Sequence, residues 1–455
     1  MEVIKIITQE LIVPCSPTAQ HLRTYKLSVF DQLVIPPYAS IILFYPSNSE
    51  PNSPIDVPQK IDLLKRSLSQ ILGRFYPLAG RIQDGSSVEC DDKGARFIQA
   101  TVGMSLTQFL TDPDLILLNE LFPSEPESPQ VARAANIQVN VFQCGGIAVA
   151  LSNTHKLHDG AALAMFLKVW AAIAQGGGCG GTTAPYDHLM LQAAELFPAK
   201  EIPQLRDLAL TGYGSIIRTG NNITKRFLFS RPAIEALKAR GSGPTVKYPT
   251  RVEAVSSFLW KCVMAALERK NNGLKRPSVC RHLVNIRRRM DPPLSEFSLG
   301  GLLWRAIAHC KNTTDSDRTD AILPSLVGEL RRAVAKIDSD FISRLRHEKN
   351  LISSYAEEIS GVGSSKDGVD IFTCSSWCKL GFYDADFGWG RPIYVCSARF
   401  SQDVFFNYIN LVETRSGDGI EAWVTLDEQE MASLELDPEL WAFASLNPNP
   451  LIFNS

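Results

Sequence analysis

The sequence predicts an α/β fold divided into two domains, and three observations carry that expectation. A chain of 455 residues is too long for one ordinary hydrophobic core, so two units of about 200 residues each are the natural division. Short apolar runs bounded by turn residues alternate with segments whose apolar positions recur every three or four residues, as strands and helices do. The second half repeats this alternation without a visible sequence repeat.

Residues 1–15 read as a strand ending at Pro14, and Ile41 to Tyr45 as a buried strand closed by Pro46. Leu27 to Gln32, between them, shows no clear period. Ile61, Leu64, Leu68, Ile71, Leu72 and Phe75 share one helical face. Tyr76-Pro77 ends that helix, because proline lacks an NH donor and disfavours helical angles just before it. Short strands around Val88 and Phe97, separated by Asp91-Asp92-Lys93-Gly94, read as a hairpin. A second hairpin holds Val139 and Val141 on one strand and Ile147, Val149 and Leu151 on the other, with Cys144-Gly145-Gly146 between them. Ala161 to Ala174 reads as a helix so apolar that it must be buried. Gly176 to Gly181 lacks the Gly-Lys-Ser/Thr ending of a phosphate loop and reads as a flexible connector.

Pro185, Pro198 and Pro203 lie in a stretch of weak periodicity, after which Lys225 to Phe229 starts a strand. The expected division is therefore residues 1–205, a connection over 206–226, and residues 227–455. Thr250-Arg251-Val252-Glu253 has capping-box spacing ahead of Val255, Phe258, Leu259, Cys262 and Val263, so a helix begins near Thr250. Its unpaired NH groups, with Lys247 and Arg251, suit a phosphate group, although a well-capped structural helix explains them equally. Cys280 to Ile286 reads as a strand, followed by Arg287, Arg288 and Arg289 and the rigid turn Asp291-Pro292-Pro293-Leu294. One arginine of such a cluster can be buried against a carboxylate while the others stay solvated. Residues 325–337 read as a helix, Gly361 to Gly368 as a Gly/Ser loop, and Phe382 to Gly390 as a tight aromatic turn holding two elements together. Gly419 to Val424 reads as a strand, and Asp427 to Met431 starts the last helix.

A net charge of -2, from 46 basic and 48 acidic residues, leaves no electrostatic footprint for nucleic acid or an anionic membrane, so small organic partners are expected. Ten cysteines without a Cys-x-x-Cys pair, most within apolar patterns, point to buried reduced thiols in a reducing compartment. Charges interrupt the apolar run at the first residues and no window holds eighteen uninterrupted apolar residues, so neither a signal peptide nor a membrane span is expected.

The best candidate for a catalytic base lies in Asn153-Thr154-His155-Lys156-Leu157-His158-Asp159-Gly160, between an apolar strand and an apolar helix. Such a junction projects a side chain into a cleft, and Gly160 can take backbone angles that a tight turn needs. A lone histidine is more often a satisfied core or surface residue, so the octapeptide does not by itself establish catalysis.

Taken together, the motifs resemble the plant BAHD acyl-coenzyme A-dependent acyltransferases. The likeness rests on His155-x-x-x-Asp159 and Asp386-Phe387-Gly388-Trp389-Gly390. It extends to Tyr76 through Arg81, Pro249 through Glu253, Asn285-Ile286-Arg287, Ser376-Trp377 and Gly417 through Trp423, in family order along nearly the whole chain. The resemblance implies a two-domain chloramphenicol-acetyltransferase-like fold with mixed sheets and a channel between the domains. It also implies a cytoplasmic monomer that holds no permanent cofactor or metal. An acyl-coenzyme A, here acetyl-coenzyme A, would enter one mouth as co-substrate. A small hydroxylated acceptor, expected to be an alkaloid, would enter the other.

The residue roles follow by resemblance too. His155 would act as general base without a covalent intermediate, while Asp159 points away from it and pairs with Arg287. Ser375 and Trp377 match positions thought to stabilise the tetrahedral intermediate. Asp386, Gly388, Trp389 and Gly390 would maintain the coenzyme channel, and Lys247, Thr250 and Arg251 would touch the coenzyme. Two departures bear on substrate preference: Gly300-Gly301 stands where the family commonly has Gly-Asn, and His158 replaces a smaller or apolar residue. A metal-dependent hydrolase using His155, His158 and Asp159 is the rival reading; the other five histidines, at 21, 188, 282, 309 and 347, form no further cluster. A non-catalytic ligand-binding relative is the third.

Overall fold

A computed structural model of the protein describes residues 3–34, 38–47, 56–83, 86–124, 132–176, 193–200, 203–310, 322–362, 368–397 and 404–453. In chain order the strands of the two large sheets are β1 (Ile4–Ile12), β2 (Tyr38–Tyr45), β3 (Ala95–Val102), β4 (Ala135–Phe142), β5 (Ile147–Thr154), β6 (Asn222–Phe229), β7 (Ser278–Asn285), β8 (Leu303–Cys310), β9 (Asp370–Ser376), β10 (Tyr394–Cys396), β11 (Tyr408–Glu413), β12 (Ile420–Asp427) and β13 (Ser445–Leu446). The helices that matter for the site are α1 (Val29–Leu33), α2 (Val57–Arg74), α3 (Gly160–Ala174), α4 (Pro203–Gly214), α5 (Arg251–Lys270) and α6 (Glu348–Val362).

The first sheet runs β1-β3-β4-β5-β2-β10 and the second β8-β7-β9-β11-β12-β6-β13. Both are mixed, with parallel pairs β3/β4 in the first and β7/β9 and β9/β11 in the second. β10, from the second half of the chain, closes the first sheet by pairing Tyr394 with Phe44 of β2.

Alternation along β2 and β5 sorts the first sheet's side chains between two cores. Ile41, Leu43, Val149 and Leu151 pack with Leu64, Leu68 and Ile71 of α2 and Phe166 and Trp170 of α3. Ile42, Phe44, Ala148 and Ala150 share the opposite core with Tyr394 and with Val412 and Trp423 of the second sheet. A third core fills the second sheet's far face, where Phe258, Leu259 and Val263 of α5 meet Phe372, Cys374 and Ile409. Where sheet meets sheet, Arg226 donates 3.0 Å to Glu421 and 3.2 Å to the Tyr394 hydroxyl, a fully buried pair tied to the strand that crossed over.

The second hairpin, the apolar helix and the Thr250 capping box form as expected, the last with Glu253 N donating 3.2 Å to Thr250 Oγ1 and Thr250 N donating 2.8 Å to Glu253. The first hairpin does not form. Ser87–Glu89 pairs with Thr24–Lys26 and Arg81–Ile82, while β3 pairs with β1 and β4. Gly94 takes φ +95° at a crossing where a Cβ would lie 2.2 Å from the Ile12 carbonyl oxygen, so the intervening turn hands the chain from one sheet to another.

Leu27 to Gln32 has no repeat because it holds only the single turn α1, capped by Ser28. The stretch read as a connection contains α4, and β6 begins earlier than Lys225. Two short helices, Pro438–Phe443 and Pro450–Phe453, follow the one expected to be last. The nine described cysteines are free thiols; Cys90, Cys262, Cys280, Cys374 and Cys396 are buried, whereas Cys15 and Cys144 are exposed. Most of the glycine runs expected after Gly176 and after Gly361 lies outside the described residues.

Candidate active site

The hydrogen-bonding of β5 stops at Thr154, whose carbonyl accepts from Leu157 N at 3.1 Å and His158 N at 3.2 Å. That turn sets His155 directly beyond the strand, and α3 starts five residues later. Asp159 is the N-cap of α3: Oδ1 accepts from Ala162 N at 2.9 Å. Oδ2 accepts from Arg287 Nη1 at 2.6 Å, with the two side chains 0% and 1% exposed. The rest of the guanidinium is also satisfied: it donates to Ser298 O and Gly300 O at 3.0 Å from Nη2, and to Asn285 Oδ1 at 3.3 Å from Nη1. Asp159 lies in the first half of the chain and Arg287 just after β7 of the second sheet, so the pair ties the loop to both units. Arg288 remains exposed, and Arg289 donates to the carbonyls of Val334 and Ile337.

Gly160 does not take a left-handed φ, so its requirement is space. A Cβ there would lie 3.0 Å from Trp377 Nε1 and 3.2 Å from Leu380 Cδ1. The structure thus brings Trp377 against the start of α3. Ser375, two residues back along β9, shares its strand face and hydrogen-bonds the Tyr408 hydroxyl.

His155 Nδ1 is buried and makes no hydrogen bond to another described residue. Burial pushes the imidazole pKa below the ordinary histidine value, opposed by the ring's own backbone carbonyl and by Asp159. The ring is therefore neutral at pH 7. His158 is a different case: it is 0% exposed, its ring packs tilted at 52° against Phe166 with centres 5.5 Å apart, and it approaches Asn153 Nδ2 at 3.2 Å. Burial lowers it to about 3. Asp159 already serves Arg287 and the Ala162 amide, so the three groups of the metal reading do not converge. No cluster of three His, Cys, Asp or Glu side chains that could hold a metal occurs among the described residues.

Sequence reasoning missed Asp31. Its Oδ1 accepts from Gly301 N at 2.6 Å and its Oδ2 from Ser28 N and Oγ at 2.8 and 2.7 Å. Lys156 Nζ reaches the Asp31 carbonyl at 3.2 Å, and Gly300 N donates 2.9 Å to Leu157 O. Gly300 must be glycine, with φ +115° and Asp31 Oδ1 2.8 Å from its Cβ position. Ser28-x-x-Asp31 is a capping-box spacing that could have drawn attention to the segment. Burial raises the Asp31 carboxyl to about 6, against the donors that favour its ionised form. Replacing Asp31 by Ala strands the Gly301 amide, and the expected cost is about 2–4 kcal/mol of stability with loss of turnover, checked by urea unfolding beside a thiol-release assay.

The Asp386 turn lies at the opposite end of α3, roughly 20 Å along the helix axis from its first residue. Asp386 Oδ1 accepts from Gly388 N at 2.8 Å and Gly390 N at 3.0 Å, with both glycines at positive φ, +102° and +105°. Phe387 packs edge-on to Trp170 at 5.0 Å and Trp389 to Tyr45 at 6.1 Å, and Gln175 donates to the Asp386 carbonyl. Thr250 and Arg251 belong to the second unit: Thr250 caps α5, and Arg251 donates 2.5 Å to Gly417 O and lies 4.0 Å from Glu413 at the end of β11. Lys247 is exposed, its ammonium 5.5 Å from the ring centre of Tyr248.

Two mixed sheets joined beneath a histidine loop define the chloramphenicol-acetyltransferase-like class of acyltransferase folds. The transferase family profile matches residues 2–441, and the chain belongs to that family, the BAHD acyltransferases, which use acyl-coenzyme A as co-substrate. It is 38% identical over 462 positions to an epi-neemfruitin B 7-O-acetyltransferase of Melia azedarach, covering 98% of this chain and 99% of that one. It is 36% identical over 468 positions to a limonoid 7-O-acetyltransferase of Citrus sinensis, with the same coverage. The crystal structure of vinorine synthase matches with a TM-score of 0.78 and 32% identity, covering 98% of this chain and all of that one. The protein is an acyl-coenzyme A-dependent acyltransferase. No described helix is long and apolar enough to cross a membrane.

Proposed function

We propose that the protein transfers an acetyl group from acetyl-coenzyme A to a hydroxyl of a polycyclic plant specialised metabolite, an alkaloid or limonoid, with His155 as general base. The observation that carries this reading is a half-buried, neutral imidazole, its Nδ1 turned inward, on a loop braced by Asp159 and Arg287. An alcohol is a poor nucleophile at neutral pH, so His155 takes its proton as the oxygen attacks the thioester carbonyl. The tetrahedral oxyanion needs a donor, and the Trp377 indole NH, beside Gly160, is the candidate, with the Ser375 hydroxyl on the same face. When the C–S bond breaks, the imidazolium returns its proton to the leaving thiolate. No covalent enzyme intermediate is required.

Asp159 and Arg287 position the loop and touch no reacting atom. The Asp386 to Gly390 turn fixes the far end of α3 and with it the coenzyme channel. Of the basic residues, Lys247 is the exposed one, whereas Arg251 is partly committed to Gly417. The division into residues 1–205 and 227–455 joined by 206–226, and a cytoplasmic monomer, belong to the same reading.

The test is incubation with acetyl-coenzyme A and a panel of alkaloid and limonoid alcohols, with and without chelator, following free thiol and ester mass. Acceptor-dependent thiol release with stoichiometric ester, insensitive to chelation, is expected. Thiol release without ester, or activity lost on chelation, refutes the proposal.

A further inference from the structure

The face of the second sheet that turns toward the His155 loop carries polar groups with no assigned work. Phe372 and Cys374 of β9 point into the core beneath the sheet. Thr373 and Ser375 therefore share the opposite face with Trp377, which abuts Gly160. In register, Arg281 of β7 lies beside Thr373, and Arg305 of β8 lies opposite Leu283 on that same face.

Glu358 of α6 accepts from both arginines through Oε1, from Arg305 Nε at 2.5 Å and Arg281 Nη2 at 3.5 Å. Four neighbouring polar atoms are left over. Arg281 Nε, Arg305 Nη2, Glu358 Oε2 and Thr373 Oγ1 are buried and unpaired among the described residues. Arg281, Glu358 and Thr373 are 8%, 7% and 6% exposed. Each unmade bond costs about 1–3 kcal/mol, and the three donors among them, Arg281 Nε, Arg305 Nη2 and Thr373 Oγ1, ask for an acceptor atom. Two guanidinium groups against one carboxylate leave one net positive charge.

The surroundings give the site a direction. Ile216, Val279, Val362 and Ile371 form an apolar plug on one side. On the other, Leu283 and Leu303 are only partly buried along the strip leading to Asn285 and the histidine loop. Four residues of strand separate Thr373 from Trp377, about 13 Å at the usual rise. A molecule reaching from Thr373 to Trp377, beside the start of α3, thus spans about 13 Å, on the scale of a polycyclic skeleton.

We propose that Arg281, Arg305, Glu358 and Thr373 form an acceptor-recognition site that binds a carbonyl or carboxylate oxygen remote from the hydroxyl being acetylated. This rests on the acetyl-transfer reading for the position of the reacting hydroxyl. The arginine NH groups donate to the ligand oxygen, and Glu358 holds them in place.

The probes are three tetracyclic alcohols: androsterone, with a ring ketone at the end opposite its hydroxyl, the same skeleton without the ketone, and the same skeleton with a carboxylate there. Affinity for the native protein and for Arg281→Lys and Thr373→Val is measured by calorimetry, and thiol release is followed separately with acetyl-coenzyme A. The native protein is expected to bind at least one oxygenated probe about tenfold or more tightly than the bare skeleton. Both substitutions should compress that ratio to within about threefold while the melting temperature stays close to native. The two oxygenated arms tell a ketone preference from a carboxylate one. A native ratio near one, or a ratio unmoved by both variants, overturns the site. Intact binding discrimination without thiol release from any probe counts against the acetyl-transfer reading alone.

Discussion

His155→Ala is expected to lower kcat for acetyl transfer by about 10²–10⁴-fold while leaving acetyl-coenzyme A affinity within about threefold of native. The loss is confined to the chemical step because the imidazole's part is proton transfer. The substitution removes a ring whose Nδ1 has no partner among the other described residues, so no network collapses with it. Stopped-flow thiol release beside a binding titration separates the two quantities. A variant as active as the native protein contradicts the mechanism.

The second large effect belongs to the brace. Asp159→Asn puts an amide against Arg287 Nη1, leaving a buried guanidinium without its counter-charge. Removing one partner of such a pair costs about 3–5 kcal/mol. Arg287→Met has a comparable cost, because it strands the carboxylate as well as the carbonyls of Ser298 and Gly300. The double variant should cost clearly less than the sum, since neither charge is then left alone. Chemical unfolding of the four proteins measures the coupling. If activity vanished in Asp159→Asn with stability and soluble yield untouched, Asp159 would have to act on the reacting atoms themselves.

Much of this was legible in the sequence, for identifiable reasons. The strand-to-helix junction around His155 could be read because β5 and α3 are almost wholly apolar, and their period changes across eight residues. Pairing of Asp159 with Arg287 followed from family resemblance, and the contact at 2.6 Å agrees with it. Other features escaped because they depend on distant chain. The strands around Val88 and Phe97 have ordinary hairpin chemistry, yet β3 finds its partners in β1 and β4. Asp31 is 270 residues from Gly301, and one helical turn gives no periodicity to detect. Gly160 was expected to relieve backbone strain, whereas its need is room for Trp377, which only tertiary packing reveals. The Arg281 cluster is invisible for the same reason, since it is assembled from β7, β8, β9 and α6.

Whether a neutral His155 takes the hydroxyl proton is read most directly from the pH dependence of kcat/KM. Burial lowers the imidazole pKa, so the base form persists as pH falls past 6.5 and is lost only through the lowered value. Of the neighbouring groups, His158 is lowered further, to about 3, whereas Asp31, raised to about 6, could imitate such a limb, so Asp31→Asn is measured in parallel. A single acid limb below pH 6.5, retained in Asp31→Asn, is expected. A limb at or above pH 6.5, or one that disappears in Asp31→Asn, contradicts proton transfer to His155.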